Sequence, residues 1–374
     1  MVKVYNEDKK DLVGLNVERF KLAGKFGSIN SLVSSIKPAL STIIGIVGGM
    51  AAGSIVLWFT GFDPAYVYYT IFAQAWGTSF GISKMSITMM PLLIIGVGLL
   101  FCFKAGTWNI GAQGQMILGA LFANIAGYAL GPLPAPILIP IVLIASVVGG
   151  ALWILPAAVM KAKWGINEVV TTMLFNFLGI FLLMYLVKSP LRYPKEYHPI
   201  TTPIYPSAQL PMLPGIPIHT GLIIGLALSI FTYIFFTRTT LGFQFRIIGS
   251  NLKAARYAGL HIPWLTFYSL VISGALCGLA GGVQLSGAMR FLDPDWVPWY
   301  GFQAVPLVFL ARLNALALIP FSFFFASLLI GGDLMHRIVG LPVFFVDVIF
   351  GLMLILFAAS ESIRYVRLKK RKEM

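Results

Sequence analysis

The chain has 374 residues, 58% of them hydrophobic and 11% charged, with a mean hydropathy of +0.86 and a formal net charge of +14. Several apolar runs approach the ~20 residues with which a helix crosses a ~30 Å hydrocarbon layer. These runs are continuous rather than alternating, which excludes a closed barrel and leaves an all-α polytopic membrane protein.

Residues 1–37 carry 11 charges and no apolar core, so they read as a cytoplasmic lead-in and not a signal peptide, with an amphipathic helix expected at 12–22. A transmembrane domain follows over 38–359. Its expected spans are 38–61, 85–103, 111–130, 135–160, 169–187, 218–237, 264–289, 315–332 and 341–359. The apolar stretch 301–311 is a half-length or re-entrant tenth element, since its 11 residues make only ~16 Å of helix. The aromatic stretch 65–76 is expected at the membrane interface. A proline-rich extracytoplasmic loop, 188–217, is expected between two spans, and a basic cytoplasmic tail is expected over 360–374. With the N-terminus inside, 21 Lys and Arg fall on the cytoplasmic side and six on the other, which predicts that both termini are cytoplasmic. The basic excess therefore reports topology; no soluble domain is large enough to hold nucleic acid.

Soluble chemistry is missing from the sequence. Gly24–Lys25 lacks the glycine pattern of a phosphate loop, and neither an HExxH nor a pair of intramembrane carboxylates occurs. Cys102 and Cys277 lie in apolar runs and are expected to pack, with no metal site. The chain reads as a non-enzyme that carries no cofactor of its own.

Polar residues inside apolar segments carry the functional signal. "GTWNIGAQGQMILGAL" (106–121) holds Trp108, Asn109, Gln113 and Gln115 among glycines that let a helix break. Amides donate and accept hydrogen bonds, which suits a neutral hydroxylated or heteroaromatic ligand. Thr172 and Asn176 share a helix stripe with Glu168, at spacings of four. That stripe has two readings, a lining of the pathway or interhelical hydrogen bonding worth ~1 kcal/mol or less. Gln284, in "GGVQLSG", is expected to face Gln113 or Gln115. Asp347, alone within its span, is either an ion site or bonded to a neighbouring helix, to His336 or to Arg337. In the basic loop 238–263, "SNLKAARYAG" predicts a short amphipathic helix capped by Asn251 and stopped by Gly259.

That loop resembles the coupling signature of ABC importer permeases. Ala254, Ala255 and Gly259 match it, while Lys253 stands in place of the acidic residue. "GTWNIGAQGQMILGA", "INEVVTTMLFNF" (166–177) and "YGFQAVPLVFLARLN" (300–314) are similar to segments of the nucleoside and simple-sugar importers, relatives of the branched-chain amino-acid permeases. The resemblance implies a plasma-membrane permease subunit that imports nucleosides by alternating access. It also implies an ATPase carrying ATP and Mg, a second permease and an extracytoplasmic binding protein as partners, all within membrane lipid. The ATPase would press on Asn251, Ala254, Ala255, Arg256 and Gly259, and a base would stack on Trp108 or Phe175. A ribose-like sugar permease and an ion-coupled transporter using Asp347 are the alternatives; a lipid-modifying enzyme is the weakest.

Overall fold

The structure is a computed structural model that describes residues 41–373 apart from 216, 298 and 343; the expectations for 1–37 lie outside the described residues. The described chain is helical: α1 (Ser41–Phe59), α2 (Pro64–Gly77), α3 (Ser79–Lys104), α4 (Ala112–Ala129), α5 (Ala135–Trp164), α6 (Glu168–Lys188), α7 (Gly221–Arg238), α8 (Thr240–Ser250), α9 (Leu252–Tyr257), α10 (Ile262–Gln284), α11 (Tyr300–Leu310), α12 (Ala315–Val339) and α13 (Phe345–Glu373). Eight of these are long and apolar enough to cross a membrane. With α4, whose 18 residues include two glutamines, and the 11-residue α11, they make up the expected ten elements. The 65–76 stretch is α2, whose Val67, Ile71 and Ala75 are buried. Helix α8 was not expected, because residues 238–250 read as part of the basic loop 238–263; Thr239 caps it, and Phe245 and Ile248 belong to its buried face.

Local chemistry sets the ends. Thr78, Asn167, Asn251 and Asn314 each accept a backbone N–H from the first turn of the helix they precede. The chain divides into two compact units, Gly53–Gly351 and the two ends together. Within the second, Gly48 and Gly49 of α1 face Leu356 and Met353 of α13.

The larger unit is built around α10, which packs on α3, α4 and α5. Its Gly274 and Gly278 lie directly on Gly150 of α5, and Gly119 of α4 lies on Gly278. A methyl group on Gly278 would sit 2.7 Å from the Gly150 Cα, so only glycine allows this crossing. Helices α4 and α10 run in the same direction. The Thr107 hydroxyl meets that of Ser269 at 3.1 Å, the Asn109 amide donates to Ser273, Ala120 touches Gly281, and Ala123 touches Gly282. Helix α3 runs the opposite way, with the Cys102 thiol donating to the Ser269 carbonyl at 3.3 Å. Both cysteines are buried and free.

The 189–220 connection folds back over the end of α10, which finishes in a π-turn, Leu285–Met289. Leu210 N donates to Ser286 O (2.9 Å), Ile204 N to Arg290 O (2.9 Å) and Thr201 N to Leu292 O (3.0 Å). The last two residues before α7, His219 and Thr220, are tied in as well, since Thr220 N donates to Pro211 O.

Substituting Gly278→Leu is expected to destabilise the bundle by at least about 3 kcal/mol, the upper range for overpacking, because the obstacle is backbone. A lowered thermal midpoint of the detergent-purified protein, against an unchanged midpoint for Gly351→Leu in open space, is the check.

Candidate functional site

Helix α3 ends at Lys104, and the chain returns through residues 105–111 before α4 begins. Gly106 makes the turn at φ 73 with its backbone against Gly249 of α8. The segment then climbs beside α6 and α11. Trp108, 43% exposed, lies 5.1 Å from the Phe103 ring and 5.5 Å from Phe309, while five residues further on Gln113 meets Gly301.

An extended segment inside a membrane needs partners for its backbone, and α6 supplies them. Glu168 Oε1 accepts from Trp108 N (3.3 Å), and its other oxygen pairs with Lys161 Nζ (2.7 Å). The Thr172 hydroxyl accepts from Ile110 N (3.1 Å), and Asn176 accepts from Gly114 N (2.8 Å) while donating to Ile110 O (2.6 Å). Asn109 and Gln115 bond each other through both amide ends at 2.9 Å, and Asn109 Oδ1 also accepts from Gly111 N. The polar atoms of Asn109, Thr172 and Asn176 are thus occupied by the protein, and the Gln115 amide is engaged at both ends. All four residues are buried.

Gln113 differs. Its Oε1 accepts from Gly301 N at 3.0 Å, which fixes the amide, and its buried Nε2 has no partner. Gln284 does not face it. Because α4 and α10 run in parallel, Gln284 lies beyond the Ala123–Gly282 contact, more than two turns further along than Gln113. Gln303 Nε2 donates to Asp347 Oδ1 at 2.7 Å, so the carboxylate is bonded to a neighbouring helix. His336 meets Leu341 O instead, and Arg337 pairs with Asp333. Phe175 stands edge-on to Trp153 at 5.4 Å.

The coupling candidates form one compact unit. Asn251 Oδ1 accepts from Ala254 N at 3.0 Å, and Gly259 closes α9 at φ 71 while Leu260 N reaches back to Ala255 O at 3.1 Å. Ala255 is buried, whereas Ala254, Arg256 and Gly259 are exposed. Helix α8 links this unit to Gly106. Sequence reasoning missed that link and the role of Ser273, which has no local signature.

Residues 81–358 match the family model described as "Branched-chain amino acid transport system / permease component". The chain is 30% identical to the glucose ABC transporter permease protein TsgB13 of Haloferax volcanii, over 87% of this chain and 88% of that one. It is 27% identical to the guanosine ABC transporter permease protein NupP of Bacillus subtilis (91% and 99%). It is 28% identical to the nucleoside ABC transporter permease protein NupB of Lactococcus lactis (90% and 94%).

Two outcomes are expected. Asn176→Leu strands the N–H of Gly114 and the carbonyl of Ile110, at about 1–3 kcal/mol for each unpaired group, and lowers the thermal midpoint. His219 lies outside the spans, and burial lowers its pKa to about 4. The unfolded chain takes up this proton near the ordinary value of 6.5, so the contribution of the neutral ring is full above that pH and is lost as pH falls towards 4. A thermal midpoint that falls over this window, and falls less steeply in His219→Phe, is the measurement.

Proposed function

Because the chain belongs to the family of permease components of branched-chain amino acid transport systems, we propose that it is the membrane-spanning permease subunit of an ABC importer, carrying nucleosides. It is a multi-pass protein of the plasma membrane, and its family implies an ATPase and a substrate-binding partner. In this reading both termini and α9 face the cytoplasm, where the ATPase presses on Asn251, Ala254, Ala255, Arg256 and Gly259. A second permease, identical or related, completes the path, and the binding protein delivers cargo from outside.

The carrying observation is the contact between Gly249 of α8 and Gly106, at the foot of the 105–111 segment. A push on α9 passes through α8 to that turn, and from there to Trp108 and Gln113. Backbone against backbone leaves no soft side chain to absorb the displacement. Gln113, with its free N–H, and Trp108, half-exposed, are the pathway contacts of this segment; Asn109, Gln115, Thr172 and Asn176 hold it in shape. Two of the three relatives described are named for guanosine or nucleosides, which puts nucleosides first. The relative named for glucose supports a sugar as the second reading. The Gln303–Asp347 bond gives the carboxylate a structural role, which counts against an ion-coupled mechanism.

Cells that make this chain with its transport partners are expected to take up labelled guanosine, and cells lacking it are not. Unlabelled adenosine and uridine should compete and ribose should not; competition by ribose or glucose alone would replace the nucleoside reading with the sugar one. Gly249→Val is expected to cut uptake at least about tenfold while ATP hydrolysis continues, since a tenfold loss corresponds to ~1.4 kcal/mol at the transmitting contact.

A further inference from the structure

Helix α8 is clamped at two levels on one side. Gly242 lies against α7, where a methyl group would sit 2.8 Å from the Phe236 Cα, and two turns later Gly249 lies against the Lys104 carbonyl at the end of α3. Arg246, four residues past the first glycine and three before the second, lies on the same flank of the helix. The Lys104 side chain enters the same gap, with its Nζ 4.6 Å from the centre of the Phe236 ring. Phe236 and Phe245, both buried, close the gap from within. Lys104 and Arg246 are thus held near enough for the Arg246 charge to act on the ammonium.

Among the described residues no carboxylate pairs with either cation. Residues 238–263 contain four basic residues and no acidic one. Glu168, which reaches the segment after Gly106, is already held by Lys161 and by Trp108 N. Like charges repel at short range, so a fold that holds two of them together without a counter-charge offers an anion site. The outward side of α8 indicates which anion. Phe243 and Leu241 are 55% and 52% exposed, and the Arg246 guanidinium sits over the Phe243 ring at 5.8 Å. One residue separates α7 from α8, so these side chains stand at the level where a span ends. Exposed apolar side chains beside cations at that level are the pattern of a helix lying in the headgroup layer. A free phosphate makes no use of Phe243 and Leu241, whereas a phospholipid covers them with its chains. Two cations without a carboxylate repel the choline of a zwitterionic headgroup and attract an acidic one.

We propose that Lys104 and Arg246 form a phosphate site for an acidic phospholipid of the cytoplasmic leaflet, whose chains lie against Phe243 and Leu241. The choice of leaflet rests on the orientation given under the import reading; the site itself requires only that α8 lies at a membrane surface. Because α8 joins α9 to the Gly106 turn, the bound lipid braces that connection against α3 and α7.

The test follows the thermal midpoint of the full chain, stripped of lipid in an uncharged detergent, as dioleoylphosphatidylglycerol, dioleoylphosphatidylcholine or inorganic phosphate is added. The wild-type midpoint should rise with phosphatidylglycerol alone. Arg246→Gln and Lys104→Met should each raise the half-maximal lipid concentration about fivefold or more, the equivalent of ~1 kcal/mol for one basic group at an anionic surface. Arg246 is exposed, and methionine keeps a stem to pack on Phe236, so one variant remains informative if the other fails to run as a single species. Lys163→Gln, which removes an exposed cation at the end of α5, should respond as wild type does. An equal loss in Lys163→Gln would reduce the effect to net charge and overturn the site. Protection by inorganic phosphate, or none by phosphatidylglycerol, would overturn the lipid as occupant. A co-purifying ATPase lost from Arg246→Gln while the lipid response stays intact would give this face to that partner instead. No cargo is present, so a failure of guanosine uptake would overturn the import reading and leave this result standing.

Discussion

Three backbones meet where α4, α5 and α10 cross at Gly119, Gly150, Gly274 and Gly278, and the level of the polar groups along α4 and α10 follows from that approach. In lipid, apolar side chains gain nothing by leaving one apolar surroundings for another, so helices associate through close packing and hydrogen bonds. Removing the side chains at the crossing lets dispersion contacts and Cα–H···O contacts form between main chains. The result is a rigid centre with one direction of travel for α4 and α10. Ser269 and Ser273 then come level with Thr107 and Asn109, and Asn124 with the end of α10.

From that centre the buried amides divide by function. A chain that breaks its helix inside a membrane exposes peptide groups, and Asn109, Gln115, Thr172 and Asn176 spend their hydrogen bonds on this segment or on one another. Gln113 spends one end on Gly301 and keeps the other. Towards the far end of α10 the balance reverses, and Asn124, Gln284 and Ser286 each keep a buried polar atom without a partner. The saturated cluster holds the broken segment in shape.

How much of this was legible depended on distance along the chain. The caps of α9 could be read because Asn251 and Gly259 act on their own neighbours within a turn. The break before α4 could be read because glycine and amide clusters are local signals. The half-length of α11 followed from counting apolar residues. What sequence could not supply was the direction of α4 relative to α10, which moved Gln284 away from Gln113 and towards Asn124. The partners of Asn109 and Asn124 were hidden for the same reason: Ser273 lies 164 positions from Asn109, and Thr202 lies 78 from Asn124. His219 gave no signal, since its burial is made by a loop folding over a turn that is remote in sequence.

The charge distribution bears on the cargo as well as on topology. An amino acid enters a membrane path as a zwitterion, and its two charges need opposite charges or strong dipoles wherever water is stripped away. The one buried carboxylate beside the broken segment, Glu168, is already held by Lys161 and by Trp108 N. Helices α4, α10 and α11, which carry Gln113, Gln284 and Gly301, have no charged residue of their own, and the nearest carboxylate on α13, Asp347, is bonded by Gln303 of α11. Amides, hydroxyls and a neutral imidazole stabilise hydroxyl groups and heterocycle edges at little desolvation cost, and they leave a zwitterion under-solvated by several kcal/mol. Within a family described for branched-chain amino acids, uncharged helices around the broken segment agree with the neutral cargo proposed for this chain.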